Sequence, residues 1–303
     1  MIQKKSSSLI AIISASVLWG FFAFPLKALK TYTSEQILTW RIVIALLIVW
    51  LIIGLFKTSI LKQNIATVLA KRKKERNKIL LLIFISGILL TLNWFTYIYT
   101  VNHISLKSGA FAYLICPLIT TLAAYLILKE PLNKLQFIAL AIVILCIVGL
   151  ATGSLTEILW SVFIAGLYAF FLIIQRVIIE IDKVVMLGFQ LVISFVLLLP
   201  FLWYFPQHIP TEVNFWINVS FISIFLTIIP LLLSLYALAG LPSSIVGITI
   251  YINPLISFSV ALLFFNEIIK AEEIIYYILL LLAVLLFNRD MLLSLINPKS
   301  VKS

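Results

Sequence analysis

Long apolar runs alternate with short polar segments along the whole chain. Because about 20 apolar helical residues span the hydrocarbon core of a bilayer, runs of this length predict membrane-crossing helices. Ten such runs occur, at residues 9–29, 37–56, 79–101, 108–128, 134–152, 157–179, 184–205, 215–240, 244–265 and 274–296. Most predicted connections are short, so consecutive helices are expected to be antiparallel neighbours; the exception is 57–78. The pattern therefore predicts an all-α membrane protein with ten transmembrane helices.

One segment of the chain, 99–131, occurs a second time after a shift of 137 positions. Among the identical pairs that the shift superimposes are Tyr99 with Tyr236, Pro117 with Pro254 and Glu130 with Glu267. We interpret residues 9–152 and 157–296 as two repeats of five helices, followed by a cytoplasmic tail, 297–303. An odd number of helices inverts the second repeat in the membrane, and inverted repeats typically enclose a solute site between them. The repeat predicts a central cavity.

Composition supports a membrane protein. Hydrophobic residues make up 63% and charged residues 11% of the 303 positions, against roughly 45–50% and about 25% in soluble domains. The net charge of +11 does not predict nucleic-acid binding, because the basic residues lie in short gaps between apolar runs. Cys116 and Cys146 lie inside apolar runs, so no disulfide framework, metal site or cofactor is expected.

Basic residues also predict the orientation. If the ten helices alternate, most of the 22 Lys and Arg residues, including the block 71–78, lie on the side that holds both termini. Because cytoplasmic loops carry an excess of Lys and Arg, both termini are expected in the cytoplasm. The first run is interpreted as a transmembrane helix rather than a cleaved signal peptide, because further spans follow it directly.

Several motifs resemble one transporter family. They are LWGFFAFPLKAL (18–29), EQILTWRIV (35–43), LNWFTYIYTVN (92–102), SGAFAYLICPL (108–118) and SSIVGITIYINPL (243–255). The chain resembles the drug/metabolite transporter superfamily, its EamA family and, within it, the RarD-like permeases. The resemblance implies two five-helix EamA repeats and a permease for a small molecule in the bacterial cytoplasmic membrane. Where the family has Asn before the proline of the fourth helix this chain has Cys116, and the Asn remains only as Asn253.

Polar and aromatic residues near predicted helix breaks are candidates for the solute cavity. Pro117 and Pro254 interrupt the fourth and ninth helices, and Pro25 loosens the end of the first. The candidate cavity residues are Trp19, Asn93, Trp94, Tyr97, Tyr113, Cys116, Tyr251 and Asn253. The alternative is that these side chains only join helices or, for Tyr97, lie in the aromatic belt at the membrane surface.

Three cations lie near the ends of predicted helices. Lys27 and Arg41 are expected to flank the outer mouth, where they would attract an anionic group, and Arg176 is the inner counterpart of Lys27 after a shift of 149 positions. The alternative is that they extend to the lipid headgroups without contacting a solute.

These features favour a secondary transporter that works by alternating access. A receptor or scaffold and an intramembrane lipid-modifying enzyme are the alternatives, but the sequence shows no clustered catalytic set, so no enzyme activity is expected. No Asp or Glu lies in the middle of a predicted span, which argues against proton coupling through a midplane acid. The expected partners are a small-molecule solute and the lipid bilayer, and a homodimer stays open; drug-like amphiphiles, metabolites and anions all remain open as solutes.

Overall fold

The computed structural model describes residues 2–151, 154–204, 209–241, 249–289 and 293, and these residues form helices and connections without a strand. The helices are α1 (Ile2–Gly20), α2 (Ala23–Ala28), α3 (Ser34–Phe56), α4 (Thr58–Leu69), α5 (Lys73–His103), α6 (Leu106–Ala123), α7 (Lys134–Ala151), α8 (Leu155–Val177), α9 (Lys183–Tyr204), α10 (Val213–Ser223), α11 (Ile229–Gly240), α12 (Ile252–Leu263) and α13 (Ala271–Phe287). Two π-helical turns, Ala124–Leu128 and Ile224–Ile228, follow α6 and α10.

Eight segments of the described chain are long and apolar enough to cross a membrane. They are Ser6–Ala28, Ser34–Phe56, Lys73–His103, Leu106–Leu128, Lys134–Ala151, Leu155–Val177, Lys183–Phe201 and Val213–Ser234. These correspond to the first eight predicted runs, and the protein is an integral membrane protein. For the ninth and tenth runs the structure describes the shorter apolar helices α12 and α13. Residues 244–248, most of 290–296 and the predicted tail 297–303 lie outside the described residues, so the count of ten stays a prediction.

Several helices, α3 and α5 among them, begin earlier than the hydrophobic pattern predicts. The capping box at Thr33, whose hydroxyl accepts from Gln36 N while the Gln36 side chain accepts from Thr33 N, starts α3 at Ser34. This start places Arg41 two turns inside the helix, about 10 Å from its end. The segment 57–78, interpreted from the sequence as a connection, contains helix α4 and the first turns of α5. Because polar residues often cap and begin a helix, a prediction from apolar residues alone places the start of the helix too late.

The three predicted prolines occupy different positions in their helices. Pro25 lies in the first turn of α2. Because it has no N–H to donate to the carbonyl four positions earlier, the chain turns at residues 21–22. Pro254 lies in the first turn of α12, and a turn at Tyr251 separates this helix from the helical residues 249–250. Pro117 lies inside α6, which continues to Ala123.

The shift of 137 positions also relates two backbone conformations. Lys129 and Asn266, which the shift superimposes, are the two non-glycine residues with positive φ in the described chain, at 58° and 52°. The residue after each donates its N–H to the carbonyl six positions earlier, Glu130 to Ala124 and Glu267 to Ala261. Each bond spans one residue more than the bond that commonly closes a helix at a left-handed residue. The two related helices therefore end in the same way.

The helices of one half pack mainly against helices of the other. The largest interfaces join α6 to α8, α1 to α11, α7 to α13 and α5 to α8 and α9. Buried polar side chains join α5 to α9: Gln190 donates to Ser86 Oγ at 2.8 Å and Thr91 donates to Ser194 Oγ at 2.7 Å. Such bonds commonly hold membrane helices together. The core of the protein thus lies between its halves.

Candidate functional site

Asn93 lies at the interface between the halves. Its side chain is fully buried, its Nδ2 donates to the carbonyl of Ile164 at 3.0 Å, and its Oδ1 accepts from the Tyr113 hydroxyl at 3.3 Å. These contacts join α5 to α6 and α8. A buried amide is costly unless it is paired, so Asn93 fixes the positions of three helices and carries a polar group into the apolar core.

Aromatic rings extend from Asn93 in two directions. Tyr97 stacks at a tilt on Tyr113, with 5.3 Å between ring centroids, and contacts Phe22 edge-on at 5.6 Å. Tyr113 contacts Tyr168 edge-on at 5.8 Å, and Tyr168 stacks on Phe171 at 5.6 Å. The rings form a continuous path from the α1–α2 junction to α8. Such a surface suits a planar or apolar solute.

Arg41 is the charged member of this assembly. Only 4% of its surface is exposed, its Nε donates to Thr227 Oγ1 at 3.1 Å, and its guanidinium carbon lies 4.1 Å from the Trp94 ring centroid and 5.0 Å from that of Phe22. A side chain buried in this way does not extend to the headgroups, so that alternative does not describe Arg41. We call the group Arg41, Phe22, Asn93, Trp94, Tyr97 and Tyr113 the Arg41 cluster.

The contact between Arg41 and the second half depends on the π-helical turn Ile224–Ile228. This turn presents the Thr227 hydroxyl, which donates to the Ile222 carbonyl at 2.9 Å and accepts from Arg41. Ser223, just before the turn, donates to the Arg41 carbonyl at 3.3 Å. Our sequence reasoning missed both residues. The signal for them was Pro230, which removes a helical N–H within one turn and favours a local change in helix type.

The other candidate cavity residues lie around this cluster. Cys116 and Tyr251 are buried together in the neighbouring apolar cluster, against which Tyr168 also packs. Asn253 is half-buried and its Oδ1 accepts from Ser257, whose hydroxyl also lies 3.1 Å from the Gly20 carbonyl of α1. Trp19 is half-buried on α1. The structure therefore brings Asn93, Trp94, Tyr97 and Tyr113 together with Arg41 and places the other four candidates outside that cluster.

A cavity of about 520 Å³ lies at the end of the bundle that carries Lys27. It is lined by Phe24, Lys27, Ala28, Lys30, Phe264, Phe265 and Glu267. The Glu267 carboxylate accepts from the backbone N–H groups of Leu106 and Lys107 and so caps α6. Lys27 therefore lines this cavity and lies outside the Arg41 cluster.

A buried ion pair near the same end was missing from the sequence analysis. The Lys107 Nζ lies 3.1 Å from Glu273 Oε2 and 3.5 Å from Glu157 Oε2. Lys107 and Glu273 are each only 7% exposed. Glu157 also accepts from Ser105 and Ser108 at 3.4 and 3.2 Å. The cluster joins the starts of α6, α8 and α13, and no local pattern signals it because its members are distant in the chain.

Ion pairs at the opposite end are more exposed. The guanidinium of Arg176 lies 2.9 Å from the Glu130 carboxylate, with 56% and 47% of the two side chains exposed. Lys57 pairs with Asp182 at 2.7 Å. Partial burial by itself would raise the pKa of Asp182, but hydrogen bonds from Lys57 and from Val185 and Val184 N–H together hold that pKa below its usual value. These bonds fasten the connection between α8 and α9 to α3.

The sequences of the two halves match a known family. A sequence model of the EamA-like transporter family matches the chain twice, at residues 6–152 and 155–289. The chain belongs to the EamA-like transporter family. Its EamA relatives include the uncharacterized transporter YojE of Bacillus subtilis (strain 168), 28% identical over 278 residues that cover 90% of each chain. The protein RarD of Salmonella typhi is 24% identical over 302 residues that cover 95% of this chain and 96% of RarD.

A solved crystal structure shares the same fold. It covers 93% of this EamA chain and 96% of its own, with a TM-score of 0.60 and 15% sequence identity. The resemblance to RarD-like permeases predicted from the motifs is confirmed by these comparisons, and the family and relatives are those of transporters.

Proposed function

We propose that this protein is a secondary transporter that moves a small organic solute across the bacterial cytoplasmic membrane by alternating access. The observation that carries this proposal is the Arg41 cluster, a set of buried polar and aromatic groups of the first half that contacts the second half through Ile164 and Thr227. Transporters with internal repeats bind solute at that place. In this proposal the halves are inverted repeats, both termini are cytoplasmic and the Lys27 end faces outward.

Charged pairs at the two ends support alternation. The shifts of 149 and 137 positions superimpose Lys27 on Arg176 and Glu130 on Glu267, so the two pairs occupy corresponding places in the halves. Arg176 and Glu130 are in contact, whereas Lys27 and Glu267 line a cavity and form no ion pair among those of the described residues. The structure thus resembles a state closed at the Arg176 end and open at the Lys27 end.

Flux through purified protein in liposomes tests the proposal. We expect counterflow of at least one solute from a panel of labelled metabolites and drug-like amphiphiles at imposed pH and voltage gradients. Trp94→Ala and Asn253→Ala should each lower this flux about tenfold, the loss that corresponds to one or two positioning contacts. Asn218→Ala, which removes an exposed amide bonded only to its own helix, should leave the flux unchanged. Unchanged flux in both cavity variants, or no flux of any solute, contradicts the proposal.

If the two ends act as gates, the pair at positions 130 and 176 and the pair at positions 27 and 267 should not be in contact at the same time. In a chain without Cys116 and Cys146, we expect a cysteine pair at positions 130 and 176 to be joined readily by a short cleavable thiol-reactive cross-linker, and flux to stop until the linker is cleaved. A pair at positions 27 and 267 should cross-link more slowly, because the cavity separates these positions, and a transported solute should increase its rate. Equal rates for the two pairs, or flux that survives either cross-link, would show that these ends do not act as gates.

A further inference from the structure

We infer that the transported solute is an organic monoanion, a carboxylate with a planar or apolar body, and that Arg41 binds its charged group. This inference rests on the proposed function, because it assigns a substrate class to the same central site. The structural observation behind it is a buried guanidinium with no acidic partner among the described residues.

The charge of Arg41 is compensated only in part. None of the five ion pairs among the described residues includes Arg41, and its recorded side-chain hydrogen bond uses Nε alone. The ring contacts with Trp94 and Phe22 offset only part of the cost of burying the guanidinium charge. An anion that binds Nη1 and Nη2 would remove this imbalance.

Lys107 provides the contrast within the same protein. It is about as buried as Arg41, yet two carboxylates, Glu273 and Glu157, lie within 3.5 Å of its Nζ. This chain therefore supplies acids to a buried cation that has a structural role. A buried cation that lacks them, at the interface of a transporter's halves, is typical of a site for a charged solute.

The surroundings of Arg41 define the chemistry of the solute. A guanidinium presents parallel N–H groups that match the two oxygens of a carboxylate. One cation neutralises one negative charge, which favours a monoanion over a dianion. Trp94, Phe22, Tyr97 and Tyr113 form the aromatic walls next to it, and these walls suit a ring or an alkyl chain. Lys27 and Lys30 at the mouth of the cavity attract anions to the same end.

Binding by thermal shift tests the inference separately from transport. Purified protein in detergent is heated with benzoate or hexanoate, with the matched neutral amides benzamide and hexanamide, and with inorganic phosphate. We expect the carboxylates to raise the melting temperature of the unmodified protein and the amides and phosphate to have no effect. Arg41→Met should weaken carboxylate binding about ten- to a hundredfold, and Arg41→Lys should weaken it less. Arg72→Met, which removes an exposed arginine, should bind as the unmodified protein does.

The stability of the ligand-free variant distinguishes binding from structure. Because Arg41→Met removes an uncompensated buried charge, we expect its melting temperature without ligand to equal or exceed that of the unmodified protein. A lower melting temperature in both Arg41→Met and Arg41→Lys would make Arg41 a structural residue and overturn the inference. Equal effects of acids and amides, or no effect of any acid, would overturn it as well.

Flux of the same panel separates the two proposals. If a neutral amide is transported and Arg41→Met still transports it, the proposal that the protein is a transporter stands. The proposal that its solute is an anion bound by Arg41 is then wrong. If carboxylates bind and the binding depends on Arg41, but no compound shows flux, the anion site is supported. The proposal that the protein is a transporter is then contradicted.

Discussion

Replacing Gly20 by leucine is expected to disrupt the contact between α1 and α12 and to abolish flux. A Cβ atom at Gly20 would lie 2.6 Å from Ile256 Cβ and 2.7 Å from Ile256 Cγ2. The neighbouring hydrogen bond from Ser257 to the Gly20 carbonyl, 3.1 Å, holds the two helices at this separation. The helices would have to move apart, so we expect a loss of about 3 kcal/mol in stability. The measurement is the melting temperature in detergent together with liposome flux.

A matched glycine gives the control for this prediction. Gly54 on α3 has no atom within 4 Å of an added Cβ, so Gly54→Leu should change the stability by less than about 0.5 kcal/mol. The double variant Gly20→Leu with Ile256→Ala should recover part of the loss, since it removes the side chain that clashes. Similar losses for Gly20→Leu and Gly54→Leu would show that this close approach does not hold the halves together.

Removing one member of the Lys107–Glu273 pair is the second change with a large expected effect. Lys107→Met leaves the Glu273 carboxylate buried without its cation, and breaking a buried pair in this way costs about 3–5 kcal/mol. The double variant Lys107→Met with Glu273→Gln removes both charges and should restore most of the stability. Melting temperatures of the single and double variants form a double-mutant cycle that isolates the coupling.

The exposed pair Lys57–Asp182 provides the comparison. Its side chains are each 26% exposed, so Lys57→Met should cost no more than about 1 kcal/mol. A loss in Lys57→Met as large as that in Lys107→Met, or a double variant as unstable as the single one, would contradict the assignment of Lys107–Glu273 as a coupled buried pair.

The membrane class and the repeat were predictable because both can be recognised from the order of residues along the chain. Apolar runs of membrane-spanning length occur in sequence and need no knowledge of neighbours. The repeat preserved Pro117 with Pro254 and Glu130 with Glu267, and the structure shows the related helix ends with left-handed Lys129 and Asn266. The early start of α3 was also a local signal, the capping box at Thr33, but an apolar count does not include it.

The roles of the charged residues were not predictable in the same way. Sequence position placed Arg41 at a mouth because a cation near a helix end commonly reaches the headgroups. Thr227 and Trp94, which are distant from Arg41 in the chain, enclose it in the interior instead. Lys107 and Glu273, 166 positions apart, formed a pair that no spacing rule indicates.

By itself, the sequence determined that this chain crosses a membrane and that it consists of two related halves. Those properties follow from hydrophobic length and internal similarity, which the order of residues along the chain contains. Only the tertiary structure decided which buried cation has an acidic partner, Lys107, and which has none among the described residues, Arg41. The free energy of a buried charge depends on the groups that surround it in space, and helices from both halves supply those groups.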